Sequence, residues 1–242
     1  MFCYLFEKFL ISLKKKDILF IYMVSIELVK KSVYISLVIQ VITGVIQLYP
    51  LFINIPEEYK ILKQTLALET VVQFIEAAFY SWLAYGLYKM KDVTATRYFD
   101  WMITTPIMLL STSIYLEYLK NKDLKLMDFL DGNKNLIMKI FISNWLMLLV
   151  GFLGETKRIS HMVSIPIGFI FFGYCFYKIY ENFAIGTVEG MNLFIILTVM
   201  WSLYGVVSPL STNIKNLFYN ILDIFSKNFY GLFLFYKIMK VV

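Results

Sequence analysis

The chain has 242 residues, 60% of them hydrophobic, and a formal charge of +6. Soluble domains use about 45–50% apolar residues, so this composition excludes an ordinary soluble fold and indicates a polytopic membrane protein. A spanning helix needs roughly 20 apolar residues, so the length holds about seven with short connections and no separate soluble domain.

The excess of lysine at the ends and in the loops suits contact with a lipid bilayer and its headgroups, and no motif suggests nucleic acid as a partner. Cys3 and Cys175 form no metal or disulfide pattern. His161 is the only histidine, which excludes a histidine-rich metal site.

Residues 1–32 contain two short apolar pieces, followed by Lys14-Lys15-Lys16 and by Lys30-Lys31. Neither is long enough to span, and no small-residue cleavage site follows them. The segment reads as a leader upstream of a start near Met23, or as a helix lying on the membrane surface. Residues 33–242 read as one membrane domain, an all-α bundle of seven spans. These are expected near 33–53, 62–88, 98–119, 136–153, 163–180, 191–210 and 214–239. Pro50 and Pro56 mark the end of the first. A charged connection containing Asp131-Gly132-Asn133 separates the third from the fourth. Short connections imply antiparallel neighbours. Lysine and arginine counts give conflicting votes on orientation, because odd-numbered spans place the two lysine-rich ends on opposite sides.

Polar residues inside these spans carry the information. In the seventh, Asn216, Asn220, Asp223 and Lys227 recur at intervals of four, three and four, forming one stripe. A lysine near the centre of a span costs about 2.5–3.5 kcal/mol on insertion scales. Paired with a carboxylate one turn away, it is either a structural ion pair or an amine poised to condense with an aldehyde. In the third span, Arg97, Asp100 and Thr104 share a face, followed by Pro106. Proline frees backbone groups inside the span, and Thr104 or Thr105 is expected to re-satisfy them. Asp100 and Asp223 could together surround one cation at Lys227.

The run Arg97-Tyr98-Phe99-Asp100-Trp101-Met102-Ile103-Thr104-Thr105-Pro106 resembles the third-helix signature of microbial rhodopsins. Leu222-Asp223-Ile224-Phe225-Ser226-Lys227, followed by Gly231, resembles their retinal-binding seventh helix. The resemblance implies all-trans retinal bound as a Schiff base to Lys227, with Asp100 and Asp223 as counterions and Arg97 organising carboxylates and water on the extracellular side. It implies an extracellular N-terminus and a cytoplasmic C-terminus. Trp101, Thr104, Thr105, Met147, Trp201 and Tyr204 match pocket positions of the family. Asn144 stands where an acid is common, Gly205 where a proline commonly follows the tyrosine, and Ser208 where a second tryptophan often lies. With aromatics at 18% of the chain, any single one could be ordinary packing, and the motif context selects Trp101, Trp201 and Tyr204.

The triplet that diagnoses transport in this family reads Asp100, Thr104 and Ser111. A retinal proton pump usually keeps an acid at the third place, and serine neither holds nor releases a proton readily. In the second span Glu69 and Glu76 stand two turns apart on one face, with Gln73 between them. Intramembrane acids facing inward mark ion or proton paths, and interhelical hydrogen bonding accounts poorly for two glutamates. Together with Ser36, Asn216 and Asn220, these positions resemble viral rhodopsins of group one, a virus-encoded branch associated with light-gated cation channels in host membranes. The resemblance places Arg97, Ser36, Glu69, Glu76, Asn216 and Asn220 along the path of sodium, potassium or protons, with Glu69 and Glu76 as gates. Two alternatives stay open: an outward proton pump using a second-span glutamate as donor, and a photosensor. The wider family allows a homo-oligomer, and no chemical turnover is implied.

Overall fold

In a computed structural model, which describes residues 24–86 and 93–242, the chain forms seven helices, with no strand among the described residues. They are α1 (Ile26–Phe52), α2 (Lys60–Gly86), α3 (Thr94–Lys120), α4 (Leu126–Glu155), α5 (His161–Ile179, continuing through the π-helical turn Tyr180–Ala184), α6 (Val188–Val207) and α7. The last comprises Thr212–Asp223, a π-helical turn Ile224–Asn228 and Phe229–Met239. Consecutive helices pack side by side, and α1 also packs on α7, which closes the bundle.

Most of the expected leader, residues 1–23, lies outside the described residues. Its last part does not: α1 begins at Ile26 rather than near Val33, because Ser25 accepts a hydrogen bond from the Leu28 amide (3.2 Å) and caps the helix there. The connection expected around Asp131-Gly132-Asn133 is helical instead. α4 starts at Leu126, and Phe129 buries itself in the core and anchors these added turns, while Asp131 and Gly132 stay on the exposed side.

Four helices are long and apolar enough to be read as spans from composition alone: α1, α4, α5 and α6. The remaining three carry inward-facing polar stripes that lower their average. Large apolar side chains such as Val45, Ile103, Ile170 and Ile196 are exposed on the outside of the bundle, where lipid tails are their natural solvent. Inside, the main apolar core lies toward one end, where Leu66, Ile114, Phe129, Phe176, Ile179 and Leu234 meet. A smaller cluster around Tyr98, Trp101, Leu148 and Tyr219 packs near the middle. At the far end, a buried ion pair of Lys215 with Glu155 (2.6 Å) ties the first turn of α7 to the last turn of α4.

Two backbone irregularities shape the centre. Pro106 has no N–H to offer the Met102 carbonyl one turn back. That carbonyl takes a hydrogen bond from the Trp145 indole of α4 (3.0 Å). The threonines, expected from sequence to re-satisfy it, bond elsewhere. Thr104 donates to the Asp100 carbonyl (3.0 Å) and Thr105 to the Trp101 carbonyl (2.6 Å). In α7, the Phe229 amide bonds back to the Ile224 carbonyl, five residues away. The inserted residue shifts the helix register so that Ser226, Lys227 and Asn228 are all buried.

Candidate functional site

Lys227 is 2% exposed at the middle of the bundle. Its ammonium faces Asp100 Oδ2 at 3.2 Å and Asp223 Oδ1 at 3.6 Å, and it lies directly against the Glu76 carboxylate. The two acids expected beside the lysine are therefore there, and a third joins them. From sequence, Glu76 and Glu69 are expected to set gates along the path. The two-turn spacing from Glu69 instead brings Glu76 to the lysine, while Glu69 faces Ser111 of α3, which donates to it. The second-span glutamates thus serve two separate places.

On one side of Lys227, Arg97 is fully buried and collects the polar groups of α2 and α7. It donates to Asn216 Oδ1 (3.1 Å), to Tyr80 Oη (3.3 Å), to Asp223 Oδ2 (3.2 Å) and to Asn220 Oδ1. Tyr80 in turn donates to Asp223 Oδ2 at 2.6 Å, and Tyr204 donates to Asp223 Oδ1 at 2.8 Å. Asn216 reaches Thr94 (2.9 Å), Asn220 reaches Ser32 (2.8 Å), and Ser36 donates to the Asn220 carbonyl (3.3 Å). The expected path residues Ser36, Arg97, Asn216 and Asn220 are thus brought together in one network. Charge-assisted bonds of this kind are short and strong.

On the other side lies a cluster that sequence reading did not assign. Asn228 Nδ2 points at three oxygens at once: Gln40 Oε1 (3.0 Å), Thr43 Oγ1 (2.5 Å) and Gln73 Oε1 (2.8 Å). An amide nitrogen has two protons, so one of these contacts always lacks its hydrogen. Gln40 Nε2, Gln73 Nε2, Asn228 Oδ1 and both heteroatoms of the Gln47 amide are buried without a hydrogen-bond partner among the described residues. Gly231 lets Gln47 approach α7, since a Cβ at that glycine would overlap the Gln47 amide.

A cavity runs from Lys227 and Ser226 across the bundle to α4 and α5. Trp101, Thr105, Met147, Trp201, Tyr204 and Lys227, named from sequence as pocket positions, all line it. Thr104 does not line it, being turned toward the Asp100 backbone. Trp101 stands edge-on to Tyr204 and Tyr219, with ring centroids at 5.4 and 5.2 Å. Asn144 holds the Thr105 hydroxyl from α4 at 2.7 Å and so fixes this wall. A slot with aromatic walls that ends at a lysine fits a long, flat, apolar aldehyde.

A family model described as "Bacteriorhodopsin-like protein" matches residues 28–241. No curated protein matches the chain significantly. Among solved structures, the chain is similar to the viral rhodopsin OLPVRII, at 29% identity and a TM-score of 0.81, over 89% of this chain and 99% of that one. Acetabularia rhodopsin I matches at 18% identity and a TM-score of 0.71, covering 89% of this chain and 95% of that one. A blue light-absorbing proteorhodopsin from Med12 matches at 21% and 0.70, over 88% and 97%.

Proposed function

Because this chain belongs to the bacteriorhodopsin-like family of retinal-binding membrane proteins, we propose that it holds all-trans retinal on Lys227 and conducts cations in response to light. When bound, retinal supplies light absorption and a light-driven change of shape at a double bond. Everything else falls to the chain's own side chains. Trp101, Trp201 and Tyr204 clamp a planar chain between them, and Met147 with Thr105 closes the α3–α4 wall. Asp100, Asp223 and Glu76 present negative charge to the Lys227 nitrogen. With Arg97 and Lys227 as the only buried cations beside them among the described residues, one acid is left over and can carry a proton. Moving a proton from Lys227 to Asp100 cancels a close charge pair, a change of several kcal/mol at an effective dielectric of about 20. Asn228 follows Lys227 directly in the π turn, so displacement of the lysine is passed to the Gln40–Thr43–Gln73 cluster.

One observation carries the channel reading over its rivals. Buried polar side chains of α1, α2, α3 and α7 continue on both sides of Lys227, from Asn216 to Gln47, and the half beyond Lys227 contains amide atoms without protein partners. Such atoms favour entry of water or of a weakly held cation once the cluster loosens. In this orientation, taken with the N-terminus outside and the C-terminus in the cytoplasm, Arg97 lies on the extracellular side and Gln47 on the cytoplasmic side. The polar positions also support the group-one viral branch, with sodium and potassium as permeant ions.

A specific contact favours a second reading, an outward proton pump. Ser111 donates to Glu69, so a carboxyl group stands beside the place where pumps keep their donor. Whole-cell photocurrents under voltage clamp, with retinal supplied, decide between the two. A reversal potential that follows the sodium and potassium gradients is expected. An outward current that never reverses would establish the pump instead, and no current with an intact photocycle would establish a sensor. Lys227→Ala abolishes the visible band, and a surviving band would overturn retinal attachment there.

Glu76→Gln replaces one of the three carboxyl groups facing the lysine nitrogen, the one in direct contact with it, by a neutral amide. The absorption maximum is expected to move to longer wavelength. An unmoved maximum would return Glu76 to the role of a remote gate.

A further inference from the structure

The cavity wall formed by α5 and the end of α6 is not uniformly apolar. His161 and Ser164 stand one turn apart on α5 and both line it, as does Ser208 at the end of α6. Ser164 is 2% exposed. Among the described residues, neither its hydroxyl nor either ring nitrogen of His161 has a hydrogen-bond partner. Ser208 donates to the Gly205 carbonyl (2.9 Å), which leaves its oxygen able to accept. The surrounding walls are hydrocarbon or aromatic: Leu148, Ile165, Phe169 and Phe172. A buried hydroxyl such as that of Ser164 is costly in such a wall unless something meets it, and the half-buried His161 ring stands one turn away.

Lys227 fixes which end of a retinal would lie here. The lysine must hold the aldehyde carbon, so the cyclohexenyl ring is the part that extends toward α4 and α5. An unsubstituted ring is pure hydrocarbon and would cover Ser164 and His161 without offering either a partner. We propose that this cavity selects a retinal bearing an oxygen on its ring, a hydroxyl or keto group, with Ser164 and His161 as its hydrogen-bonding partners and Ser208 as a further acceptor. The proposal rests on the retinal reading above and deepens it by naming the class of chromophore. Sites built to hydrogen-bond a ligand oxygen discriminate strongly against analogues that lack it.

The test is a competition. Purified apoprotein is given equal amounts of all-trans retinal and all-trans 3-hydroxyretinal, then all-trans retinal and all-trans 4-hydroxyretinal, and the bound chromophore is extracted and quantified. An enrichment of about tenfold for at least one hydroxylated form is expected, the discrimination of roughly one well-made hydrogen bond. In Ser164→Ala, and separately in His161→Phe, the enrichment falls toward unity while pigment still forms with plain retinal. Equal uptake by the unmodified protein, or an enrichment that both variants retain, would overturn the proposal and leave retinal binding intact. No visible band with any of the aldehydes would overturn retinal binding itself, and this inference with it.

Discussion

On one side of Lys227, a single guanidinium reaches four acceptors, and none of the buried side-chain atoms of Arg97, Tyr80, Asn216, Asn220 or Asp223 lacks a partner. On the other side, three oxygens crowd one amide nitrogen of Asn228, and five amide atoms of Gln40, Gln47, Gln73 and Asn228 have no protein partner. Both clusters are equally buried and both join α2 to α7. What separates them is charge and completeness. A satisfied ionic cluster has one arrangement that is far better than any other. A neutral, half-satisfied one has several of similar energy, and its polar atoms lose little by turning to water. The first is built to hold its shape, and the second to change.

The largest effect should come from breaking the complete side. Arg97→Gln takes from Asp223 the nearer of its two buried cations, leaving only Lys227 at 3.6 Å, and loss of one partner from a buried pair costs about 3–5 kcal/mol. The thermal midpoint of the purified protein is expected to fall sharply, and retinal uptake with it. A variant as stable as the parent would mean that the Arg97 side is no more rigid than the other. Tyr80→Phe is the milder version. It removes one hydroxyl that donates to Asp223 and accepts from Arg97, for about 1–3 kcal/mol. The midpoint should drop measurably, with the absorption band retained. A midpoint equal to the parent's would show that Asp223 is fully served by Arg97 and Tyr204.

Much of the complete side could be read from spacing. Asn216, Asn220, Asp223 and Lys227 repeat at four, three and four, and the structure buries all of them together. The same rhythm runs through Glu69, Gln73, Glu76 and Tyr80 in α2, and through Ser36, Gln40, Thr43 and Gln47 in α1, and every one of these is buried. Tyr80 and the α1 amides escape the sequence reading because it stops at Glu76 in α2 and at Ser36 in α1. Continuing the stripe by one turn in α2 reaches Tyr80, and by three turns in α1 reaches Gln40, Thr43 and Gln47. Asn228 is different. At regular helical pitch it sits about 100° away from Lys227, and only the π turn brings it to the same interior. No local rule places that turn, so the amide cage was not legible. Glu76 shows a further limit. Its face was right, but which polar group lay opposite it depended on how α2 sits against α7. The early start of α4 was hidden for a related reason: its first two turns are polar on one side and held by Phe129 on the other.

The neutral side should respond in the opposite sense to the ionic one, and by the smallest amount. Gln47 has both amide heteroatoms buried without a partner. Gln47→Leu replaces them with hydrocarbon of similar size. Removing buried polar groups that make no bonds is close to neutral or stabilising, because the folded state no longer carries their desolvation cost. The thermal midpoint is therefore expected to stay level or rise slightly, within about 1 kcal/mol of the parent, and the absorption band to stay put. Photocurrent is expected to fall, since this half loses a group that can meet water or a cation. The two readouts move apart only if this half serves conduction and not stability. A fall in midpoint as large as that of Tyr80→Phe would mean that Gln47 is held as firmly as the Arg97 cluster. The contrast between the two sides of Lys227 would then be lost.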